Sequence, residues 1–555
     1  MAAVTIDAIA FEVIRNALVA ATDEMVLALR RSAYSTNIKT RSDFSCAFFD
    51  ADLRCVAQGF AQPVHLGSMV EQTPRAVRDY GPENLGPGDV IICNDPFPSG
   101  VHLNDVSLIS PVHAPDGTLL GYVANLAHHV DVGGGAPASV GAFREVFQEG
   151  VIIPPVKIVE AGRIVPDVFA LILGQIRSKH ETAGDFRAQI AANNTGVRRL
   201  QALVERHGLE TISATMSELL DYTERRTRSE LAVLPHGTWD AEGSVDTDGY
   251  TDEPVHLNAS VTIGPDGVRF DTAGSDPQRR APVNSTFAQT YSACAYALKC
   301  LIDPDLPVND GFYRLLTVDA PAGSVTNCRW PSPVVGGWET QTRLVDVIFR
   351  ALLPALPERL PAGTKAMMCH AGFGGVDSVS GSDYCFLETF GGGYGGRAAS
   401  DGPDAVQAHG QNTENAPVEE TELNYPVRIS RLSLVEDSDG AGRFRGGLGL
   451  RKDYLFDRPT TFTVLADRTV HGPAGAFGGL DGQTAEFVLI RDGVETRLSP
   501  KSTFEVEPGD LVSYRTCGGG GYGPPSERDP ELVRRDVREG KVSAERAREV
   551  YGVKL

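Results

Sequence analysis

The chain contains no apolar run approaching the ~20 residues that a membrane-spanning helix requires, and it opens with no signal peptide. Both absences predict a cytoplasmic protein that neither spans nor leaves the membrane. Positive charge is also scarce: 51 basic residues stand against 72 acidic ones, a net charge of −21. That balance repels phosphate backbones and anionic bilayers, so neither nucleic acid nor a membrane surface is an expected partner. No Cys-x-x-Cys occurs, and the cysteines number nine, an odd count that favours a reducing compartment with most of them acting as small buried hydrophobes. The lack of His-Glu-x-x-His excludes a zincin, and the lack of G-x-x-x-x-G-K-[ST] and G-x-S-x-G excludes a P-loop and a serine-hydrolase elbow. G-x-G-x-x-G does occur at 391–396 and 518–523. Neither copy opens a helix, since Arg397-Ala398-Ala399-Ser400-Asp401-Gly402-Pro403 and Pro524-Pro525 follow, so neither is a dinucleotide site. The chain carries no recognisable nucleotide site of its own.

What is present describes a globular body. Of 555 residues, 42% are apolar and 22% charged, enough to bury a sizeable core over three or four domain-sized units. The 59 glycines and 35 prolines, scattered without period, imply many turns and a strand-rich interior. Residues 7–34 read as one long helix, with Phe11, Ile14, Leu18, Ala21, Met25 and Ala28 forming an apolar stripe. Residues 41–50 read as a strand, 180–231 as a helical hairpin broken at Gly208, and 237–272 as strands. Helices follow at 288–301 and 338–353, then a proline-rich connector at 354–364. From Met367 short strands alternate with glycine turns, and the chain closes on two helices capped by Asp529 and Ser543. The expected fold is mixed α/β (α+β), a strand-rich multi-layer body with a long N-terminal helix and a β-rich C-terminal half. The expected regions are 1–180 (α/β, bearing the site), 181–235 (helical hairpin), 236–363 (α/β), 364–525 (β with glycine turns) and 526–555 (helices).

The chemistry concentrates between Asn94 and Gly134. A buried strand ends at Asn94-Asp95-Pro96, Pro98-Ser99-Gly100 supplies a turn, and His102 and Asp105 follow it. A second strand delivers His128, His129 and Asp131. Two strand ends, each presenting His and Asp, can build a two-histidine, one-carboxylate metal site with open positions; a surface hydrogen-bonded pair is the plainer alternative. Only one of His128 and His129 should point inward, because alternate strand positions face opposite ways. Asp43 sits among residues that prefer burial, where a carboxylate needs an ion pair with Arg41, a hydrogen bond or a metal. His65 is either a group that orients a ligand or substrate, or a satisfied core histidine. Glu149 is either a general base or carboxylate behind the ligands, or a salt-bridge partner.

The strings that carry these residues resemble the hydantoinase B / oxoprolinase family. They include Gly100-Val101-His102-Leu103-Asn104-Asp105-Val106, Ala127-His128-His129-Val130-Asp131-Val132-Gly133-Gly134 and Gln148-Glu149-Gly150-Val151. Others are Val64-His65-Leu66-Gly67, Gly184-Asp185-Phe186-Arg187, Asn412-Thr413-Glu414-Asn415, Arg445-Gly446-Gly447 and Thr516-Cys517-Gly518. The resemblance implies that Asp43, His102, Asp105 and His128 bind one divalent ion (Zn, Mn or Fe), with His129 and Asp131 behind them. His65 and Glu149 are then the candidate catalytic groups. It implies the B subunit of an ATP-dependent cyclic amide hydrolase of hydantoinase, oxoprolinase or lactamase type. ATP and Mg would be bound by a hydantoinase A-type partner with an actin-like fold, in a hetero-oligomer with two copies of each subunit. Phosphorylating the amide oxygen there would create an activated imidate for water to attack. The alternatives are a subunit of an acetone- or acetophenone-type carboxylase, and a non-catalytic scaffold for the ATPase.

Overall fold

Asp7 caps the first helix, α1 (Ala8–Ser32), by accepting from the backbone N–H of Ala10 at 3.4 Å. The computed structural model describes residues 7–59, 62–97, 100–377 and 381–555; Pro98 and Ser99 of the expected turn lie outside them. Ile14, Leu18, Ala21, Met25 and Leu29 form the buried stripe of α1, and the short α2 (Thr36–Lys39) follows.

A seven-stranded sheet underlies the N-terminal third. Its strands are β1 (Phe44–Asp50), β2 (Cys55–Gln58), β3 (Val90–Cys93), β4 (Asp105–His113), β5 (Leu119–His128), β6 (Val156–Glu160) and β7 (Arg163–Ile164). They run in the order β2-β1-β5-β4-β3-β6-β7, every pair antiparallel. Helix α3 (Pro63–Tyr80) lies on one face; α4 (Pro166–Leu173), α5 (Lys179–His207) and α6 (Leu209–Leu231) follow in the chain. Period-two alternation sorts the side chains. Phe44, Cys46, Phe48, Val123 and Ala127 join the core beneath α1 and α5. Ala47, Phe49, Ile109, Ala124 and Leu126 join the core beneath α3. Helices α1 and α5 meet closely because Gly196 has no side chain: a Cβ there would stand 2.4 Å from Met25 Sδ.

The middle region packs two helices on a second sheet. Strands β8 (Gly237–Val245), β9 (Val255–Gly264), β10 (Gly267–Asp271) and β11 (Leu316–Asp319) run in the order β11-β10-β9-β8. Helix α7 (Phe287–Leu301) starts at a Thr286/Gln289 capping box; α8 (Asp310–Tyr313) and α9 (Gly337–Leu352) follow. The C-terminal half is β-rich. Its strands are β12 (His370–Val376), β13 (Asp383–Thr389), β14 (Val427–Leu434), β15 (Leu450–Phe456), β16 (Thr460–Leu465), β17 (Glu486–Arg491), β18 (Val494–Arg497), β19 (Lys501–Val506) and β20 (Leu511–Arg515). They form sheets in the orders β13-β12-β16-β19 and β14-β15-β20-β17-β18 around an aromatic core of Phe373, Phe386, Tyr454, Phe462 and Tyr514. The glycine strings lock backbone to backbone here: a Cβ on Gly393 would lie 2.0 Å from Gly519 N, and one on Gly519 would lie 2.0 Å from Tyr394 O. Helix α10 (Val418–Asn424) precedes β14, and α11 (Pro530–Arg538) and α12 (Ala544–Glu549) close the chain on the expected caps, Asp529 and Ser543.

The mixed α+β class, the long first helix and the β-rich C-terminal half are as expected from the sequence. Every cysteine is free, and all but Cys300 are buried. Among the described residues no helix is long and apolar enough to cross a membrane.

Candidate metal centre

Three neighbouring strands end at one place. Asp105 opens β4 and His128 closes β5, and the two are register partners in the ladder. Phe44 pairs with Ala127 on the other side of β5, and His128 N–H donates to Asp43 O at 3.0 Å, so Asp43 continues the row. Alternation places Asp43, Asp105 and His128 on the α3 face, where α3 adds His65. His102 reaches the row from the preceding turn, which is closed by Asp105 N–H donating to His102 O at 3.0 Å. Asn94 fastens that loop: its amide donates to Leu103 O at 2.7 Å and Val151 O at 2.9 Å and accepts from Ile153 N–H at 2.7 Å.

His102, Asp105 and His128 each bring one donor atom within 4.8 Å of the others, and all three are buried. His102 Nε2 lies 3.2 Å from Asp105 Oδ2, yet neither nitrogen of His102 nor either carboxylate oxygen of Asp105 has a hydrogen-bond partner. His65 Nε2 stands between the two carboxylates, 3.5 Å from Asp105 Oδ1 and 3.7 Å from Asp43 Oδ1. Arg41 does not pair with Asp43. Its guanidinium donates to Asn37 Oδ1, Leu387 O, Thr389 Oγ1 and Glu414 O.

Burial dominates the electrostatics of the cluster. Burial and then Asp43 hold the Asp105 carboxyl well above the ordinary range. Burial, with His128, His370 and His65 adding to it, holds His102 well below its ordinary value. Burial pulls His65 down to about 4 and His128 to about 3. Unpartnered imidazole nitrogens and carboxylate oxygens are costly in a bare core, and a neutral imidazole is the form that binds a divalent ion. The His-His-Asp donor set suits Zn, Mn or Fe, so the residues fit the ion that the sequence predicts.

The other candidates stand elsewhere. His129 is on the opposite face, with Nε2 2.9 Å from Gln189 Oε1 and its ring against Phe186 at 4.6 Å. Asp131 accepts from Gly133 N–H and from the backbone and guanidinium of Arg177, pinning the Gly133–Gly134 bend. That bend passes close to backbone: a Cβ on Gly134 would lie 2.4 Å from Gln148 O. Glu149 Oε1 accepts from Val334 and Val335 N–H at 2.6 and 2.9 Å, its Oε2 is unpartnered, and burial pushes the carboxyl up to about 8.

Sequence reasoning missed four residues. Asn37 donates its amide to His128 Nδ1 at 3.2 Å, because its oxygen already accepts from Arg41 at 2.7 Å. Asn37 also lines a cavity of about 290 Å³ whose wall includes Glu181, Asp383 and Glu420. Trp338 packs on His102 and His65 at ring distances of 5.7 and 6.1 Å. Glu339 follows Trp338 in α9, and His370 Nδ1 lies 3.9 Å from Glu339 Oε1. None of these lies in a spaced motif, so no local pattern marks them.

A family model described as hydantoinase B/oxoprolinase matches residues 7–525. The chain belongs to the hydantoinase B/oxoprolinase family. Its fold is similar to the crystal structure of the ATP-dependent caprolactamase from Pseudomonas jessenii, with TM-score 0.92, 30% identity, and 99% of this chain and 97% of that chain covered. It is 32% identical to 5-oxoprolinase 1 of Arabidopsis thaliana over 93% of its own length, but spans only 42% of that longer protein. A nucleotide-free acetone carboxylase shares the fold at TM-score 0.89 and 19% identity, over 98% of this chain and 79% of that one.

Proposed function

We propose that this chain is the catalytic B subunit of an ATP-dependent cyclic amide hydrolase that opens a hydantoin- or lactam-like ring. The observation that carries the reading is the buried His102–Asp105–His128 cluster with its orphaned donor atoms. The family, and the activities named for its hydrolase members, support the reaction class. Because the chain has no nucleotide motif, ATP and Mg belong to a hydantoinase A-type partner, two copies of each subunit forming the enzyme.

His102, Asp105 and His128, with Asp43, would hold one divalent ion. When bound, such an ion supplies Lewis acidity to a carbonyl or phosphoryl oxygen and lowers the pKa of water. His65 stands between Asp43 and Asp105, 3.7 and 3.5 Å from their carboxylates, where it would orient a bound ligand or substrate. Trp338 walls the cluster and excludes bulk water. Glu149 holds the 334–335 backbone that leads into Trp338, and Asp131 and His129 anchor the strand end from behind.

Elemental analysis of the purified chain beside His102→Ala tests the site. The expected result is about one Zn, Mn or Fe per chain, lost in the variant. With the ATPase partner added, ATP-dependent ring opening without bicarbonate supports the hydrolase. A bicarbonate requirement would instead mark a carboxylase, and full activity of His102→Ala would mark a scaffold.

A further inference from the structure

Asn37, the second residue of α2, touches two members of the strand-end row. Its main-chain carbonyl accepts from Asp43 N–H at 3.0 Å, and its side-chain amide nitrogen lies 3.2 Å from His128 Nδ1. The ring of bonds closes where His128 N–H donates to Asp43 O at 3.0 Å. With Nδ1 so engaged, Nε2 is the nitrogen that His128 has left for the cluster, its imidazole 4.9 Å from that of His102. Asn37 and His128 are both buried, so the amide, and not bulk water, is the neighbour that Nδ1 has.

The orientation of this amide is set from behind. Arg41 is buried, and its Nη1 donates both to Leu387 O at 2.8 Å and to Asn37 Oδ1 at 2.7 Å. Its Nη2 donates to Thr389 Oγ1 and its Nε to Glu414 O, so the C-terminal half holds the guanidinium in place. A guanidinium has donors only. The amide oxygen therefore faces Arg41, and the amide N–H faces His128. A neutral imidazole that accepts at Nδ1 carries its own proton on Nε2. That tautomer has no Nε2 lone pair for an ion: a histidine that binds through Nε2 holds its proton on Nδ1 and donates it to an acceptor. Asn37 also borders the cavity of about 290 Å³, which leaves space on one side of the amide.

We infer that Asn37 is the positioning residue that selects the His128 tautomer, and that its side-chain amide turns over when the site is loaded. In the empty site Nδ2–H faces His128. In the loaded site Asn37 Oδ1 accepts from His128 Nδ1–H, and Arg41 gives up its bond to Asn37 while keeping those to Leu387, Thr389 and Glu414. One proton leaves Nε2 and one arrives at Nδ1, so the ring stays neutral throughout. The inference rests on the metal reading above and adds to it the tautomer that the ring leaves behind.

The test uses the full chain labelled with nitrogen-15 at histidine, stripped by chelator and then titrated with Zn(II). Proton–nitrogen correlations of the imidazole rings distinguish the two tautomers, and the His128 signals are assigned by their loss in His128→Gln. The stripped wild-type chain should show His128 protonated on Nε2, and the Zn(II)-loaded chain should show it protonated on Nδ1. Asn37→Asp supplies two acceptor oxygens, one for Arg41 and one for His128 Nδ1–H. This variant should show the Nδ1–H tautomer before any Zn(II) is added, and its Kd for Zn(II) should fall by about tenfold, the size of one hydrogen bond gained. A stripped wild-type chain already protonated on Nδ1 would overturn the inference, as would Zn(II) binding with the tautomer unchanged. So would an Asn37→Asp variant that keeps the Nε2–H form or binds Zn(II) no more tightly. In those cases Zn(II) still binds the wild type and the metal reading stands, whereas a wild-type chain that takes up no Zn(II) would remove both together.

Discussion

Asp105 and His128 face each other across the β4–β5 ladder as register partners, so two metal-type side chains stand side by side at a sheet end. Removing either should empty the site without unfolding the sheet. His128→Ala and Asp105→Asn should each lower metal content from about one per chain to near zero and ring-opening activity by more than about 100-fold, beyond the loss typical of groups that merely support ligands. Circular dichroism should stay at the wild-type signal.

His129 should behave differently from His128, although the two are adjacent. Its hydrogen bond is to Gln189 and its ring packs on Phe186, so His129→Ala should keep the metal and lose stability. The cavity and lost bond together should cost about 2–4 kcal/mol. Metal analysis and urea midpoints measured on one preparation separate the two effects.

Glu149 gives a pH-dependent stability difference of known sign. Its folded carboxyl titrates at about 8 against a reference of 4.5. A raised folded value contributes stability that is fully present below the unfolded pKa and lost as pH rises through the folded one. Glu149→Gln removes this titration while retaining an acceptor for Val334 and Val335. Melting temperatures should therefore shift in favour of the variant between about pH 5 and pH 9, and a pH-independent difference would contradict the assignment.

The interlocked glycines allow no side chain. A Cβ at Gly519 would lie 2.0 Å from the Tyr394 carbonyl oxygen, so Gly519→Ala must displace backbone in the C-terminal half. A loss above about 4 kcal/mol is expected, visible as insoluble expression, whereas Gly264→Ala, in open space and without a positive φ, should remain soluble.

Where local pattern dominates, the sequence was readable. The stripe of α1 and the caps at Asp529 and Ser543 depend on neighbours within a few residues, and each is where the spacing places it. Helix α3 escaped because Pro74 lies inside it and Gly67 near its start, both helix-breaking signals. Tertiary packing overrides them: a Cβ on Gly67 would stand 2.7 Å from Ser292 Cα, so the glycine permits the crossing with α7. His102, Asp105 and His128 were legible because they lie in short strings at strand ends. Asn37, Trp338, Glu339 and His370 were not, because they converge from three segments through contacts that no sequence spacing encodes. Asp43 was visible as a misplaced carboxylate, but the strand-end row that it extends required the register of β1 on β5.

That row also sets an order of assembly during synthesis. Asp43, His102, Asp105 and His128 have all been made once residue 128 is in place, while Trp338, which packs on His102, comes more than two hundred residues later. A nascent chain thus exposes a donor set before its cover exists. Under the proposed metal reading, uptake would report on strand register, since a one-residue slip of β1 against β5 would turn Asp43 to the opposite face.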